Sequence, residues 1–393
     1  MKRHILKALL AIAAGLAPCG AFAADPASVR IGGVDVTPAV KVMEKHDDNI
    51  FSQQNIKKSS WITVVEPGVD LKADDGVSQL EVQYHLSNGT FHSSHGDDYL
   101  DHFVSASYAY SPTSRLTSSL SVDYSKTHDA RGTTFTGSPL IFTTPDKYHE
   151  TTVNGEIGYG VNGHLALAGA YSNKRYDNHH TVTKARDLDT AEGRASFSYP
   201  IAPATRAVLE ARYKRFNYKL FTPTSNLDSN EQRYFAGLNW EATAMTSGSL
   251  RLGYLKKRFS SARQVGAGQF SWELGAKWAP TTYSSVQISS DYGPQETDGT
   301  GSYIKSIGAD VSWDYAWNNR LSHNVYGGYH ENRYQGVGVA RKDRLSSAGI
   351  SVDYQIQRWL GIGAGYDYLN RNSNLANTSF KDNTWSLNLL LTL

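Results

Sequence analysis

The side chains with chemical potential in this chain are charged groups that recur at every second position of otherwise apolar-alternating segments. They are Asp70, Lys72 and Glu81; Asp123, Glu156, Glu192, Arg194, Arg206, Glu210, Arg212 and Lys214; Glu241, Arg251, Glu273 and Lys277; and Asp310, Asp314, Asp353 and Asp367. On an extended strand such residues all point away from the apolar set. If the apolar set meets lipid, a charge among it would cost about 2–4 kcal/mol, so these groups are expected to look into a watery interior. Two uses are open to them: contact with a passing solute, or cross-strand ion pairs such as Glu192 and Arg194 with Arg206, Glu210 and Arg212. The basic members gather between residues 194 and 277 and the acidic ones between 310 and 367, which predicts a field across the interior.

Other chemistries are poorly served. His46, His92, His95, His128, His149, His179 and His180 fall in or near polar connections, but the close pairs His92/His95 and His179/His180 supply too few ligands for a metal centre. Serine and asparagine are so frequent that no Ser–His–Asp set stands out, and no catalytic residue, metal or cofactor is expected. The single cysteine, Cys19, precedes the expected mature chain, so disulfides and thiolate sites are excluded there.

The elements that must position the charges are strands. Leu116, Leu120, Val122 and Tyr124 alternate with Thr117, Ser119, Ser121, Asp123 and Ser125, and Ile307 through Trp317 repeat the pattern against Gly308, Asp310, Ser312 and Asp314. Segments 270–278 and 348–356 do the same. At the end, Trp385, Leu387, Leu389, Leu391 and Leu393 face one way and Ser386, Asn388 and Thr392 the other, with Leu390 breaking the alternation. No helical period is sustained.

Connections alternate between two lengths. Tight ones occur at Asp74–Gly76, Ser111–Ser114, Val161–Gly163, Pro200–Thr205, Thr246–Gly248, Pro280–Thr282, Asn318–Asn319 and Gln357–Arg358. Longer polar ones run near 47–59, 88–97, 128–147, 176–186, 219–230, 260–267, 293–302, 334–342 and 371–379. This sorting predicts an all-β fold: a transmembrane antiparallel β-barrel of about 18 strands, with both termini periplasmic and the long loops outside. The longest loop, 128–147, is the expected gate or constriction.

Met1–Ala23 has the charged start, short apolar run and Ala21-Phe22-Ala23 site of a secretory leader, too short to span a bilayer. The expected organisation is a leader over 1–23, a short periplasmic lead-in over 24–33, and one barrel filling 24–393. Losing Lys2, Arg3 and Lys7 from 39 basic residues leaves 36 against 37 acidic ones. That balance points to no nucleic-acid partner. Outer-membrane lipid is the partner of the apolar face, and the closing strand is expected to engage the barrel-assembly machinery, although Leu393 stands where such barrels commonly carry an aromatic residue.

Short motifs spread along the chain resemble one family. They are Val36-Thr37-Pro38, Asp47 to Phe51 with Asp48 and Asn49 at its centre, Glu66-Pro67-Gly68 and Asp129 to Gly132. Further along come Glu296-Thr297, Arg341 to Arg344 with Arg341 and Asp343, and Tyr366 to Asn374. Together these resemble the putative β-barrel porin 2 family, outer-membrane barrels associated with exopolysaccharide and capsule clusters. The resemblance implies a passive channel for polysaccharide export, served by periplasmic export or synthesis components, and offers no catalytic motif. It places Asp48, Asn49, Arg341 and Asp343 at strand ends. The alternatives are a general or solute-selective porin, and a surface scaffold or adhesin with a closed lumen.

Overall fold

The computed structural model describes residues 28–132, 143–177, 183, 185–219, 226–243, 245–297, 300–336 and 338–392. The expected leader, His179, His180, Leu393 and the middle of the 128–147 loop lie outside the described residues.

A short strand β1 (Val29–Ile31) turns back on β2 (Val34–Asp47), so the lead-in is a small hairpin and not only an extended tail. There follow β3 (Ser60–Asp74), β4 (Ser78–Phe91), β5 (Tyr99–Tyr110), β6 (Leu116–Asp129), β7 (Asp146–Tyr159), β8 (His164–Tyr176), β9 (Leu188–Ala202) and β10 (Thr205–Tyr218). The second half is β11 (Ser229–Thr243), β12 (Thr246–Phe259), β13 (Ala267–Thr281), β14 (Ser284–Glu296), β15 (Tyr303–Ala316), β16 (Leu321–Gln335), β17 (Lys342–Gln357), β18 (Leu360–Ser373) and β19 (Phe380–Thr392). Each strand pairs antiparallel with the next, and β19 closes on β2 from Thr384↔Asp47 to Thr392↔Ala39. The result is a closed 18-stranded antiparallel barrel, which leaves no free edge at the seam.

The tight connections all fall at one rim. At the first, the carboxylate of Asp75 accepts the backbone N–H of Ser78 (2.6 Å) and Val77 (2.9 Å); these bonds hold it below the usual carboxylate range. At Asn318 the side-chain oxygen accepts from Arg320 and Leu321 N–H. Two expected turns are displaced: Thr246–Gly248 already belong to β12, and Pro280 and Thr281 to β13. Their turn-forming residues misled because the register slips there, between Trp240 and Thr243 and between Trp278 and Thr281, letting the strands run on.

The outer face is apolar across the middle, with Leu120, Leu209 and Leu387 half or more exposed. Aromatic residues flank it: Trp61, Tyr254, Phe270 and Trp385 toward the long connections, Tyr159, Tyr199, Trp278 and Trp317 toward the tight turns. Two girdles around an apolar band are the signature of a barrel seated in a bilayer. Among the described residues no helix is long and apolar enough to cross a membrane.

Candidate functional site

Strand register assigns the charged groups to a face. Directly opposed residues share a face, and one chain of opposed residues runs Lys72, Glu81, Ser107, Ser121, Asn154, Ala170, Glu192, Lys214, Glu231 and Lys257. A second runs Glu156, Ala168, Arg194, Arg212 and Arg233. Both consist of polar or small residues and lie opposite the exposed apolar set.

Most of the charges meet a partner. Lys72 lies 3.4 Å from Glu81 and Lys214 3.7 Å from Glu192, each directly across one ladder. Arg194 reaches past its neighbour to Glu156 at 2.5 Å. Arg212 holds Glu273 through two parallel bonds of 2.8 and 2.9 Å although β11 and β12 lie between them, and its Nε also binds Glu210. Arg233 bridges Glu231 (2.5 Å) and Glu273 (3.3 Å), while Arg251 sits 3.9 Å from Glu210 and donates to Asn239. Inward Gly237 and Gly253 leave the space these long side chains cross. A forked guanidinium–carboxylate pair is among the stronger polar contacts, so this arc braces the wall. Among the described residues the expected cross-strand pairs of Glu192 and Arg194 with Arg206, Glu210 and Arg212 do not form: Glu192 meets Lys214, Arg194 meets Glu156, and Glu210 meets Arg212 of its own strand. Arg206 instead donates to Ser198 and to the Asn162 carbonyl. Strand tilt brings some long side chains onto diagonal partners, Arg212 onto Glu273 and Arg251 onto Glu210.

Several of the remaining groups meet neutral partners. Asp123 accepts from Ser105, Asp314 from Asn324 and Asp367 from Tyr326, and Asp310 lies 3.0 Å from His330. Asp353 is buried, and Asp70 lines a recess with Lys41, Glu66 and His85. Glu241 and Lys277 are exposed toward the tight-turn rim. The basic arc is thus offset locally by its own carboxylates, which weakens the expected field across the interior.

Sequence reasoning missed Glu231, Arg233, Lys257 and Glu296. The first two do alternate with Gln232 and Tyr234, but Lys257 is masked by the unbroken Lys256-Lys257-Arg258 run.

At the long-connection rim, chain folds inward on two walls. On β2–β4, Ile50 from the connection packs with Met43, Ile62 and Val64 as a buried apolar cluster, joined by Phe51 and Phe91. Arg131, clamped to Asp97 at 2.6 and 2.5 Å, lies 4.4 Å over the Phe51 ring. Asp48 and Asn49 tie this connection to β19. The Asp48 carboxylate accepts the Asn383 backbone N–H (2.9 Å) and side-chain amide (2.7 Å), and Asn49 donates to the Lys381 carbonyl (2.9 Å).

On the opposite wall, β14 leaves β13. Their ladder stops at Trp272↔Tyr292, although β13 continues to Ala267 and β14 to Glu296. Above that point Glu296 lies over the inner face, bonded to Lys257 of β12 (2.5 Å) and Tyr218 of β10 (2.5 Å). Tyr303 packs with Leu255, Ala267 and Phe259. Arg341, bonded to Asp343 at 2.7 Å and lying 4.2 Å over Tyr334, also reaches Thr300 (3.4 Å) and so backs the same hairpin. The 293–302 stretch, expected to be only a loop, thus begins as strand and leans over the inner face of β12.

The described histidines form no cluster: His95, His128 and His149 each lie 3.0–3.2 Å from an aspartate, Asp98, Asp101 and Asp177. Among the described residues one acidic trio, Asp47, Asp48 and Asp382, gathers closely enough to hold a cation.

No curated protein matches this sequence. Among solved structures the fold is similar to Acinetobacter baumannii OccAB2, with 14% identity over 92% of this chain and 98% of that one at a TM-score of 0.48. It is similar also to Pseudomonas aeruginosa OccK3 (14%, 92% and 96%, 0.47) and to the siderophore receptor PirA of A. baumannii (8%, 91% and 80%, 0.48). The barrel itself is established by its closed ladder. The family model described as putative β-barrel porin 2 matches residues 23–393, and the chain, a porin-like β-barrel, belongs to that family.

Proposed function

We propose that this barrel is a passive conduit across the bacterial outer membrane, serving the export of an exopolysaccharide chain handed to it by periplasmic components. In this reading the leader over 1–23 is removed on export, both termini lie in the periplasm, and the β19 strand is the segment engaged by the assembly machinery. The barrel supplies passage and no bond is made or broken.

The observation that carries the reading is the neutralised inner arc. An unpaired basic or acidic wall would retain solutes of opposite charge. Arg194, Arg212 and Arg233 matched to Glu156, Glu273 and Glu231, among Ser107, Ser121 and Asn154, offer donors and acceptors of both kinds with little net field. That suits a hydroxyl-rich chain sliding without a deep binding well. A second reading, a solute-selective porin, is favoured by the inward chain at the mouth.

Deletion of the gene is expected to abolish polymer outside the cell while precursor synthesis continues. Ser196→Cys combined with Ser121→Cys, labelled with a bulky thiol reagent, should mimic the deletion, and Leu209→Cys on the lipid face should not. Ser271, fully buried and bonded to the Tyr292 carbonyl, is unsuited to such labelling. Unchanged polymer release in the deletion strain would remove the export reading and leave the porin, tested by solute-dependent conductance in planar bilayers.

A further inference from the structure

The interrupted ladder between β13 and β14 is the least settled part of the wall. Extending the register beyond Trp272↔Tyr292 would set Ser271 opposite Gly293, Gln269 opposite Gln295 and Gly268 opposite Glu296. Instead β14 leans inward beyond Gly293, which still lies beside Ser271: Glu296 passes over β13 to reach Lys257 of β12 and Tyr218 of β10. The bend has a sequence cause. In a strand the N–H and C=O of one residue point to the same side, and the side alternates along the chain. The Tyr292 carbonyl faces β13, where it accepts the Ser271 hydroxyl at 2.6 Å. The residue two positions on, Pro294, therefore turns toward β13 at a point where it has no N–H to give.

Two features show that the wall position has not been abandoned. The facing segment of β13 is still strand, paired to β12 through Lys257↔Ala267 and Lys256↔Gly268, so its other edge is ready-made. The side-chain amide nitrogen of Gln269, buried, has no hydrogen-bond partner among the described residues; it lies on the face and at the height that Gln295 would take in the extended register. The docked position is held by Glu296, whose two carboxylate oxygens bind Lys257 and Tyr218, by the Ser302 hydroxyl donating to Gln264, and by Tyr303 packed on Leu255 and Ala267.

We propose that the Gly293–Glu296 arm of β14, with its β15 partner Tyr303–Ser306, is a two-position gate hinged at Gly293-Pro294. In the docked position Glu296 latches to Lys257 and Tyr218 and narrows the mouth. In the wall position residues 293–296 zip along 268–271 of β13, completing the ladder, and the mouth widens. An element with two discrete packings separated by a small difference is what a switch requires. The missing Pro294 donor weakens the zipped state, and the burial of Lys257, 1% exposed, makes its pairing with Glu296 costly to break on the docked side. The effect on flow rests on the conduit reading; the two positions themselves do not.

Disulfide trapping tests the positions directly, since the only native cysteine is Cys19. In the full chain with Cys19→Ser in its leader, Lys257→Cys with Glu296→Cys should lock the docked position and lower single-channel conductance. Gln269→Cys with Gln295→Cys should cross-link under the same oxidant and raise it, and reduction should restore both. Failure of the second pair to cross-link while the first does so would overturn the gate. So would two cross-linked forms with the same conductance as the unlocked barrel. A barrel that conducts nothing when unlocked would sink the conduit reading, while the cross-linking yields still report the two positions. Glu296→Gln, which needs no disulfide, should raise the ratio of wide to narrow dwell times at least about tenfold; an unchanged ratio would overturn the latch.

Discussion

Strands β3 and β12 stand half a turn apart in the ring, and each backs a piece of chain folded inward at the same rim, yet the two pieces are secured by different forces. On the β3 side the connection after β2 is seated by apolar contact, Ile50 and Phe51 against Met43, Ile62 and Val64, with Arg131 over Phe51 and neutral ties from Asn49 to β19 around it, and the β2–β3 ladder beneath it is unbroken up to Asp47↔Ser60. On the β12 side an apolar contact, Tyr303 on Leu255, is joined by the Glu296 latch, and the ladder beneath is open above Trp272. Burial of apolar area is non-directional and insensitive to moderate salt. An ion pair depends on geometry, protonation and ionic strength. The first patch is therefore a fixed wedge, and the second is the part of the mouth able to respond.

The largest effect should come from the wedge. Ile62, 6% exposed, points into the barrel, and Ile62→Ala should cost about 2–5 kcal/mol through lost burial and the cavity left behind. The measurement is the urea midpoint of the folded, heat-modifiable barrel, which should fall equally at low and high salt. A salt-dependent loss would show that the Arg131–Asp97 clamp over Phe51 carries the wedge as much as its apolar cluster does, and would blur the contrast. Lys257→Met comes next. It removes one charge from the latch while keeping most of the stem, and should weaken hairpin docking by about 1.5–3 kcal/mol. Hydrogen exchange at Gln295 and Ser302 should accelerate while the global urea midpoint stays near that of the parent. A midpoint shift as large as that of Ile62→Ala would mean that the hairpin is structural and not a gate.

The same contrast explains what was legible in the sequence. Alternation fixes faces wherever one side meets lipid, so the strand count, the sorting of connections and the outward set Trp385, Leu387 and Leu389 could be read from the residues alone. It says nothing of what an inward residue touches. Met43, Ile62, Val64 and Leu255 sit at inward positions and are apolar, which looks like noise in a rule of polar interiors; they are the seats of chain folded in from the rim. Expected partners for Glu192 and Arg194 failed because each meets a residue in its own row of the register, Lys214 directly across and Glu156 two strands away, while Arg206 turns to the diagonal Ser198. Pro294 carried a readable signal: a residue without an N–H inside a paired strand marks a place where pairing can stop.

The smallest effect belongs to the seam between first and last strands, beside the wedge. Here the ladder ends at Thr384↔Asp47, and Asp48 prolongs it: its N–H donates to the Asn383 carbonyl at 3.1 Å while its carboxylate accepts both amide groups of Asn383. Asp48→Ala keeps the backbone bond and removes two side-chain bonds at a half-exposed site, a loss of about 0.5–1.5 kcal/mol for each. Exchange of the Asn383 amide should rise by about tenfold, the equivalent of 1.4 kcal/mol. Gln295, on the far wall, should not change. Contacts that share no partner and lie far apart add independently, and an unbroken β2–β3 ladder with its apolar wedge stands between the seam and the rest of the ring. Faster exchange at Gln295 in this variant would mean that closing the seam and docking the hairpin are one event, and the two walls would have to be treated as a single coupled mouth.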